Sequence, residues 1–280
     1  MEKSRKVRNV IIFAILTALA IAFVYPIFFV VLNSFKGKLY INDEPFAFLT
    51  SENFVNLKNY IDGIEQTGFF DALKWSAVIT VGSVALLIIC TSMTAYWITR
   101  VKGKFSSFLY YFFVFSMIVP FQMVMFTMTS LADKLNLKNP LGLIILYLGF
   151  GAGLSVFMFC GFVKSVPIEI EEAAMIDGCN PLQTYFKVVF PILKPTAVTV
   201  AILNAMWIWN DFLLPYLIIG LAGKYQTIPV RVQYLLGSYG NFDIGIMMAV
   251  LVLSILPIII FYAVCQKYII EGVVAGAVKG

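Results

Sequence analysis

The chain has 280 residues, 61% of them hydrophobic and 12% charged, against about a quarter charged in ordinary globular domains, and this composition marks a membrane protein. The net charge of +5 comes from basic residues scattered between apolar runs, with no basic face or aromatic–basic interleaving, which argues against nucleic acid as a partner. Histidine is absent, and Cys90, Cys160, Cys179 and Cys265 show no ligand or disulfide spacing, so no metal site and no catalytic residue is expected.

The chain opens on MEKSRKVRN followed by the apolar run Val10–Leu32. That run exceeds the roughly 7–15 residues of a signal-peptide core and lacks a small-residue cleavage site, so it is expected to stay as a span. A span takes about 20 mostly apolar residues. Val10–Leu32, Leu73–Ile98, Phe105–Leu131, Leu141–Val163, Thr196–Leu221 and Ile244–Ile270 qualify. The predicted fold class is all-α, a polytopic integral membrane protein with six transmembrane helices in one domain, residues 1–280. An even number of spans puts both termini on one side, and Lys and Arg mark the cytoplasmic side. One set of loops (the N-tail, 99–104, 164–195 and the C-tail) holds twelve of the 20 basic residues, among them Arg8, Arg100, Lys102, Lys104, Lys164 and Lys187. The opposite loops mix fewer with acids such as Asp43, Glu44, Asp62 and Asp71. Both termini and the 164–195 loop are therefore predicted to be cytoplasmic.

Residues 33–70 form the longest external segment, with Pro45, Phe46, Phe48, Phe54 and Tyr60. Its aromatics either pack it onto the membrane surface or a partner subunit, or form an interfacial belt. The spans carry Pro26, Pro120, Pro215 and Pro257, and the fourth carries Gly149, Gly151 and Gly153. Membrane helices tolerate proline because neighbours satisfy the freed carbonyl, and such bends permit rocking. The glycine series lies in an apolar span rather than a strand-to-helix turn, so it reads as close helix packing and not as a nucleotide fingerprint. No Gly-x-x-x-x-Gly-Lys-Ser/Thr occurs, so any ATP is expected to be handled by another chain.

Residues 165–195, SVPIEIEEAAMIDGCNPLQTYFKVVFPILKP, interrupt the apolar pattern. Pro167 suits a first helical turn, and Glu169, Glu171 and Glu172 place negative charge where a helix N-terminus favours it. Gly178 is expected to end this helix, and Asn180-Pro181 reads as N-cap and first-turn proline of a second helix that stops near Pro191. Ala173 and Ala174 leave little bulk beside Glu172, so this hairpin can approach another protein closely. In the fifth span Asn204, Trp207 and Asp211 fall on one helical stripe with Asn210 beside it. Asp211 would lie about 24 Å along the helix from Pro195. An ionisable group at membrane depth usually faces a water-filled path or a partner. The four residues are candidates for a translocation path; alternatively Asn204 and Asn210 are interhelical glue, Asp211 an interfacial carboxylate and Trp207 an anchor.

Glu172-Ala173-Ala174, three residues, Gly178, nine residues, then Val188-x-Phe190-Pro191 resembles the EAA loop of bacterial ABC-importer permeases, with conservative replacements at Val188 and Phe190. Tyr25-Pro26, Asn33-Ser34-Phe35-Lys36, Val119-Pro120-x-Gln122, Trp209-Asn210-Asp211-Phe212-Leu213-Leu214-Pro215 and the final Ala275-Gly276-Ala277-Val278-Lys279-Gly280 look like the MalG-like permeases of the carbohydrate-uptake branch. The resemblance implies a permease subunit in the bacterial cytoplasmic membrane. Its expected partners are a second related permease, a cytoplasmic ATPase dimer holding ATP and Mg, and an extracytoplasmic solute-binding protein. It further implies an ATPase-coupling contact through Glu172, Ala173, Ala174, Asp177, Gly178 and Pro191, and a tail contact through Val278, Lys279 and Gly280. The expected function is alternating-access import of a sugar or oligosaccharide, with no enzymatic activity or cofactor in this chain. The alternatives are a non-sugar ABC cargo or ion-gradient-driven transport; the latter usually uses several intramembrane ionisable groups, and Asp211 alone is a candidate.

Overall fold

The computed structural model describes residues 2–221, 223–237 and 243–277. Regular structure is helical, and among the described residues the β-type pairing is confined to an isolated antiparallel bridge between Lys36 and Phe54. In chain order the helices are α1 (Glu2–Ser34), α2 (Lys38–Asp43), α3 (Lys58–Thr67), α4 (Phe69–Arg100), α5 (Lys104–Ser116), α6 (Phe121–Lys134) and α7 (Pro140–Val163). There follow α8 (Ile168–Ile176), α9 (Pro181–Thr184), a π-helical turn (Tyr185–Val189), α10 (Phe190–Asn210), α11 (Leu213–Ile219), α12 (Ile228–Gly237) and α13 (Ile244–Ala277). Among the described residues five stretches are long and apolar enough to cross a membrane, Arg8–Ser34, Phe69–Arg100, Pro140–Val163, Pro181–Asn210 and Ile244–Tyr268, and α5 with α6 makes a sixth where the bent pair is one span.

Three expectations need correction. The third span is not one rod, because α5 and α6 meet at 105°. The break falls at Pro120, which is extended (φ −64°, ψ 139°); proline lacks an N–H and pushes the preceding residue out of the α region. The second hairpin helix does not stop at Pro191. Phe190 N–H reaches the Tyr185 carbonyl five residues back, and this widened turn seats Pro191 in the first turn of α10, where a missing N–H costs nothing. The fifth span likewise ends early, at Asn210, with Asp211 extended (φ −73°, ψ 123°) before α11 begins.

The chain divides into two compact units. One comprises Met1–Phe70 with Val232–Pro257. Here none of the apolar window of α1 is buried, and the Asn33-Ser34-Phe35-Lys36 run that follows ties residues 33–70 together. Ser34 Oγ lies 2.6 Å from Tyr60 Oη, and Asn59 Nδ2 donates to the carbonyls of Ser34 (2.9 Å) and Lys36 (2.8 Å). Lys36 is fully buried, its Nζ donating to the carbonyls of Glu44 (3.0 Å) and Pro45 (3.3 Å). Burying a charge is tolerated only with such partners. Of the aromatics singled out in this segment, Tyr60 packs on Phe35 with ring centroids 5.1 Å apart, whereas Phe46 and Phe48 are exposed.

The second unit comprises Asp71–Arg231 with Ile258–Gly280. Its core is built by α4, α7 and α10, with Ala95, Val156, Phe159, Val163, Leu193 and Val200 packed around Tyr185. The expected close packing holds for two of the three glycines of α7. A Cβ on Gly151 would meet Asn204 Oδ1 at 2.8 Å, and one on Gly153 would meet Ser116 Oγ at 2.6 Å, whereas Gly149 faces open space. Small residues let helix backbones approach in this way.

Candidate functional site

Two polar constellations flank α10 in the chain. Before it comes the hairpin. Pro167 caps α8 in an extended conformation, and Gly178 closes it at φ 89°. Cys179 N–H donates to Ala174 O (3.0 Å) and Gly178 N–H to Met175 O (3.0 Å), the 6→1 and 5→2 pair of a Schellman motif. The space around Gly178 is open, so positive φ rather than crowding calls for glycine there. Asn180 then caps α9: its Oδ1 accepts Gln183 N–H (2.9 Å) and its own N–H donates to Gln183 Oε1 (3.0 Å), with Pro181 in the first turn. The turn chemistry expected from sequence is all present.

The acids of α8 divide sharply. Glu172 is exposed, as are Ala173, Asp177 and Gly178, while Ala174 is buried. Around Glu172 the hairpin also exposes apolar groups: Ile176 is 86% exposed and Leu182 61%, with Met175 and Phe186 about half exposed. Glu171, by contrast, is 2% exposed. Its Oε1 accepts Arg100 Nε at 2.8 Å and Arg100 Nη2 at 2.6 Å, its Oε2 accepts Tyr96 Oη at 2.8 Å, and Arg100 Nη2 also donates to Val166 O at 2.9 Å. This buried charge pair clamps α8 to the C-terminal turn of α4. Beneath it the Tyr185 ring sits 5.3 Å from that of Tyr96, with its hydroxyl 2.6 Å from Ser92 Oγ.

After α10 comes the second constellation. Asp211 Oδ1 accepts Leu213 N–H (3.0 Å), so the carboxylate caps α11, and Pro215 falls in that helix's first turn. Asp211 Oδ2 accepts the hydroxyl of Tyr147 on α7 at 2.9 Å. Trp207, 42% exposed, meets the Tyr147 ring edge-on at 5.5 Å, and Phe212 stacks on Tyr216 at 5.1 Å. The structure thus unites Asp211 and Trp207 around Tyr147. It does not bring in the other two candidates. Asn204 is buried and donates to Ser155 Oγ (3.2 Å) and Val200 O (2.9 Å), joining α10 to α7. Asn210 is exposed, its amide turned back to Met206 O at 2.7 Å. Val278, Lys279 and Gly280 lie outside the described residues.

A family model, described as the inner membrane component of binding-protein-dependent transport systems, matches residues 87–274, a stretch that contains both constellations. The chain belongs to this family. The permease is 38% identical over 287 residues to the multiple sugar-binding transport system permease protein MsmG of Streptococcus mutans, which covers all of both chains. It is 37% identical over 262 residues, 93% of each chain, to a probable starch degradation products transport system permease protein, AmyC, of Thermoanaerobacterium thermosulfurigenes. Its fold matches a chain in the crystal structure of a bacterial ABC transporter that imports the acidic polysaccharide alginate. The TM-score is 0.79 at 21% identity, covering 95% of the permease and 97% of that chain.

Reasoning from sequence missed Glu171, Arg100, Tyr96 and Tyr147 as members of these constellations. A local signal existed for one of them: Glu171 and the small Ala174 are three residues apart and share the buried face of α8. Nothing local points to Arg100, 71 residues earlier, or pairs Tyr147 with Asp211, 64 residues on.

Proposed function

We propose that the permease is the membrane subunit of an ATP-driven importer whose cargo is a sugar or oligosaccharide, working by alternating access. The observation that carries this is the hairpin: an exposed ridge of Glu172, Ala173, Ile176 and Leu182 standing on a helix that the Glu171–Arg100 pair locks to α4. A ridge that is apolar at its centre and anchored at its base suits docking into a cleft and transmitting force. Its partner is an ATPase dimer that supplies ATP and Mg, with Glu172, Ala173, Ala174, Asp177 and Gly178 at the contact and Pro191 in the helix that carries the motion onward. The hairpin and both termini are cytoplasmic in this reading, which the loop distribution of Lys and Arg supports. A second, related permease completes the membrane part, and an extracytoplasmic solute-binding protein delivers the cargo in the bacterial cytoplasmic membrane.

The sugar assignment is supported by the relatives named above and by the aromatic groups Trp207, Phe212 and Tyr216 around Asp211, since flat rings beside a carboxylate suit a polyhydroxylated ring. Asp211 and Trp207 border the cargo path in this reading, while Asn204 acts as interhelical glue. The test is uptake of radiolabelled oligosaccharide by the reconstituted complex. Glu172→Lys is expected to lower uptake more than tenfold, with loss of the stimulation of ATP hydrolysis by loaded binding protein. Wild-type uptake and stimulation in that variant would refute coupling through the hairpin, and uptake that persisted without ATP but followed an ion gradient would refute the ATP-driven reading altogether.

A further inference from the structure

Tyr147 joins Asp211 to Trp207, yet its own exposure is 0%. It belongs to a buried cluster with Ile79 and Leu87 of α4, Ile208 of α10 and Leu214 of α11. Ile208 and Leu214 lie on either side of the break at Asp211, so the ring sits in the core that spans this break. Close packing of that kind leaves a side chain little freedom. The helix that carries it is held to α10 a second time: Asn204 Nδ2 donates to Ser155 Oγ at 3.2 Å, roughly 12 Å along α7 from Tyr147. Tyr147 is thus a fixed point against which the end of α10 is set.

Its hydroxyl is what reaches the polar side. A buried hydroxyl needs a partner, and this one donates to Asp211 Oδ2 at 2.9 Å. The other oxygen, Oδ1, accepts Leu213 N–H at 3.0 Å. One carboxylate is therefore tied to two helices, to α7 by one oxygen and to α11 by the other. The cap alone would leave the carboxyl plane loosely defined, because the terminal torsion of an aspartate is broad. The second tie, from an immobile ring, sets that plane.

A carboxylate has about four acceptor positions, so both oxygens keep capacity beyond these donors. Asp211 is half-buried, which leaves that capacity an open side. Two acceptor oxygens in a fixed plane suit two neighbouring hydroxyls of a sugar ring, one donating to each. The same tyrosine backs the neighbouring aromatic group: its ring meets Trp207 edge-on, with centroids 5.5 Å apart and planes at 89°, while Trp207 is exposed.

We propose that Tyr147 is a positioning residue for import. It touches no cargo itself; its hydroxyl fixes the plane in which Asp211 offers acceptors to cargo hydroxyls, and its ring sets the orientation of Trp207. This role rests on the reading above, in which Asp211 and Trp207 border the cargo path.

The test is Tyr147→Phe in the complete reconstituted complex, a change that removes the hydroxyl and keeps the ring. Three quantities are read: oligosaccharide uptake, ATP hydrolysis stimulated by loaded binding protein, and the midpoint of thermal unfolding. Uptake is expected to fall about fivefold, the worth of one hydrogen bond. Stimulated hydrolysis and the midpoint should change little, since the packing is kept and water replaces the lost donor at a half-buried carboxylate, so less cargo is moved per ATP. In Asp211→Ala, adding Tyr147→Phe should lower uptake no further, because the hydroxyl acts through that carboxylate. An equal fall in both backgrounds would overturn the assignment. A joint fall in uptake, hydrolysis and midpoint would overturn it in favour of a hydroxyl that only holds the helices together. Unchanged uptake in Tyr147→Phe beside low uptake in Asp211→Asn would refute the positioning role and leave the path reading standing, whereas full uptake in Asp211→Asn would remove the path reading itself.

Discussion

Glu171 and Asp211 are both carboxylates that accept a tyrosine hydroxyl from another helix, yet their surroundings differ. Glu171 is 2% exposed and receives two nitrogens of Arg100 as well as Tyr96. Asp211 is half-buried, receives Tyr147 and a backbone N–H, and among the described residues has no cationic partner. A buried carboxylate matched by a guanidinium has its charge consumed internally, and removing one partner of such a pair is far costlier than the pair's net contribution. A carboxylate at a helix break with no cation is matched only by hydrogen-bond donors. The first arrangement suits a mechanical joint, the second a place where solute meets protein.

The largest effect should come from the joint. Arg100→Ala leaves Glu171 buried and unpaired, and is expected to cost about 3–5 kcal/mol, read as a lowered midpoint of thermal unfolding in detergent. The joint substitution Arg100→Leu/Glu171→Leu should recover much of this. An unchanged midpoint in Arg100→Ala would erase the contrast between the two carboxylates. Next comes the turn that the joint supports. Gly178→Ala forces a side chain into left-handed backbone, about 1–2 kcal/mol, and should appear as faster hydrogen exchange at the Gly178 and Cys179 amides with little change elsewhere. Unchanged protection there would mean that the turn tolerates a Cβ.

At the other carboxylate stability and transport should part company. Asp211→Ala removes a cap, about 1 kcal/mol, and is expected to lower uptake more than tenfold. Asp211→Asn keeps an acceptor for Leu213 N–H, so it should retain most of the stability and still lose uptake. Full uptake by Asp211→Asn would make the residue a cap and nothing more. The smallest effect is expected at Asn210, exposed and, among the described residues, bonded through its side chain only within its own helix: Asn210→Ala should change stability by no more than about 0.5 kcal/mol. A larger drop in the unfolding midpoint would show that this side chain has a structural partner after all.

What could be read from the sequence was local. Gly178 and the Asn180–Gln183 capping box follow from backbone geometry that only neighbouring residues decide, and the apolar runs follow from composition. Pro120 announced a bend, but the angle of 105° depends on what α5 and α6 pack against. The stripe of Asn204, Trp207 and Asp211 assumed one unbroken helix, whereas Asp211 can cap a helix only by ending another. The stripe's members were then divided by helices far away in sequence, Asn204 by Ser155 and Asp211 by Tyr147. Glu171 looked like one of three equivalent first-turn acids until Arg100 distinguished it.

The π-helical turn at Tyr185–Val189 amounts to one residue added to an otherwise continuous rod. Each residue advances an α-helix by about 100°, so this single insertion fixes the rotational phase between the hairpin and the face of α10 that carries Asn204 and Trp207. Wind the same residues as an ordinary α-helix, without the widening, and that face would turn about 100° from Ser155 and Tyr147. The turn is in this sense an indexing notch: it sets which side chains a push on the hairpin would present to the far end of the helix.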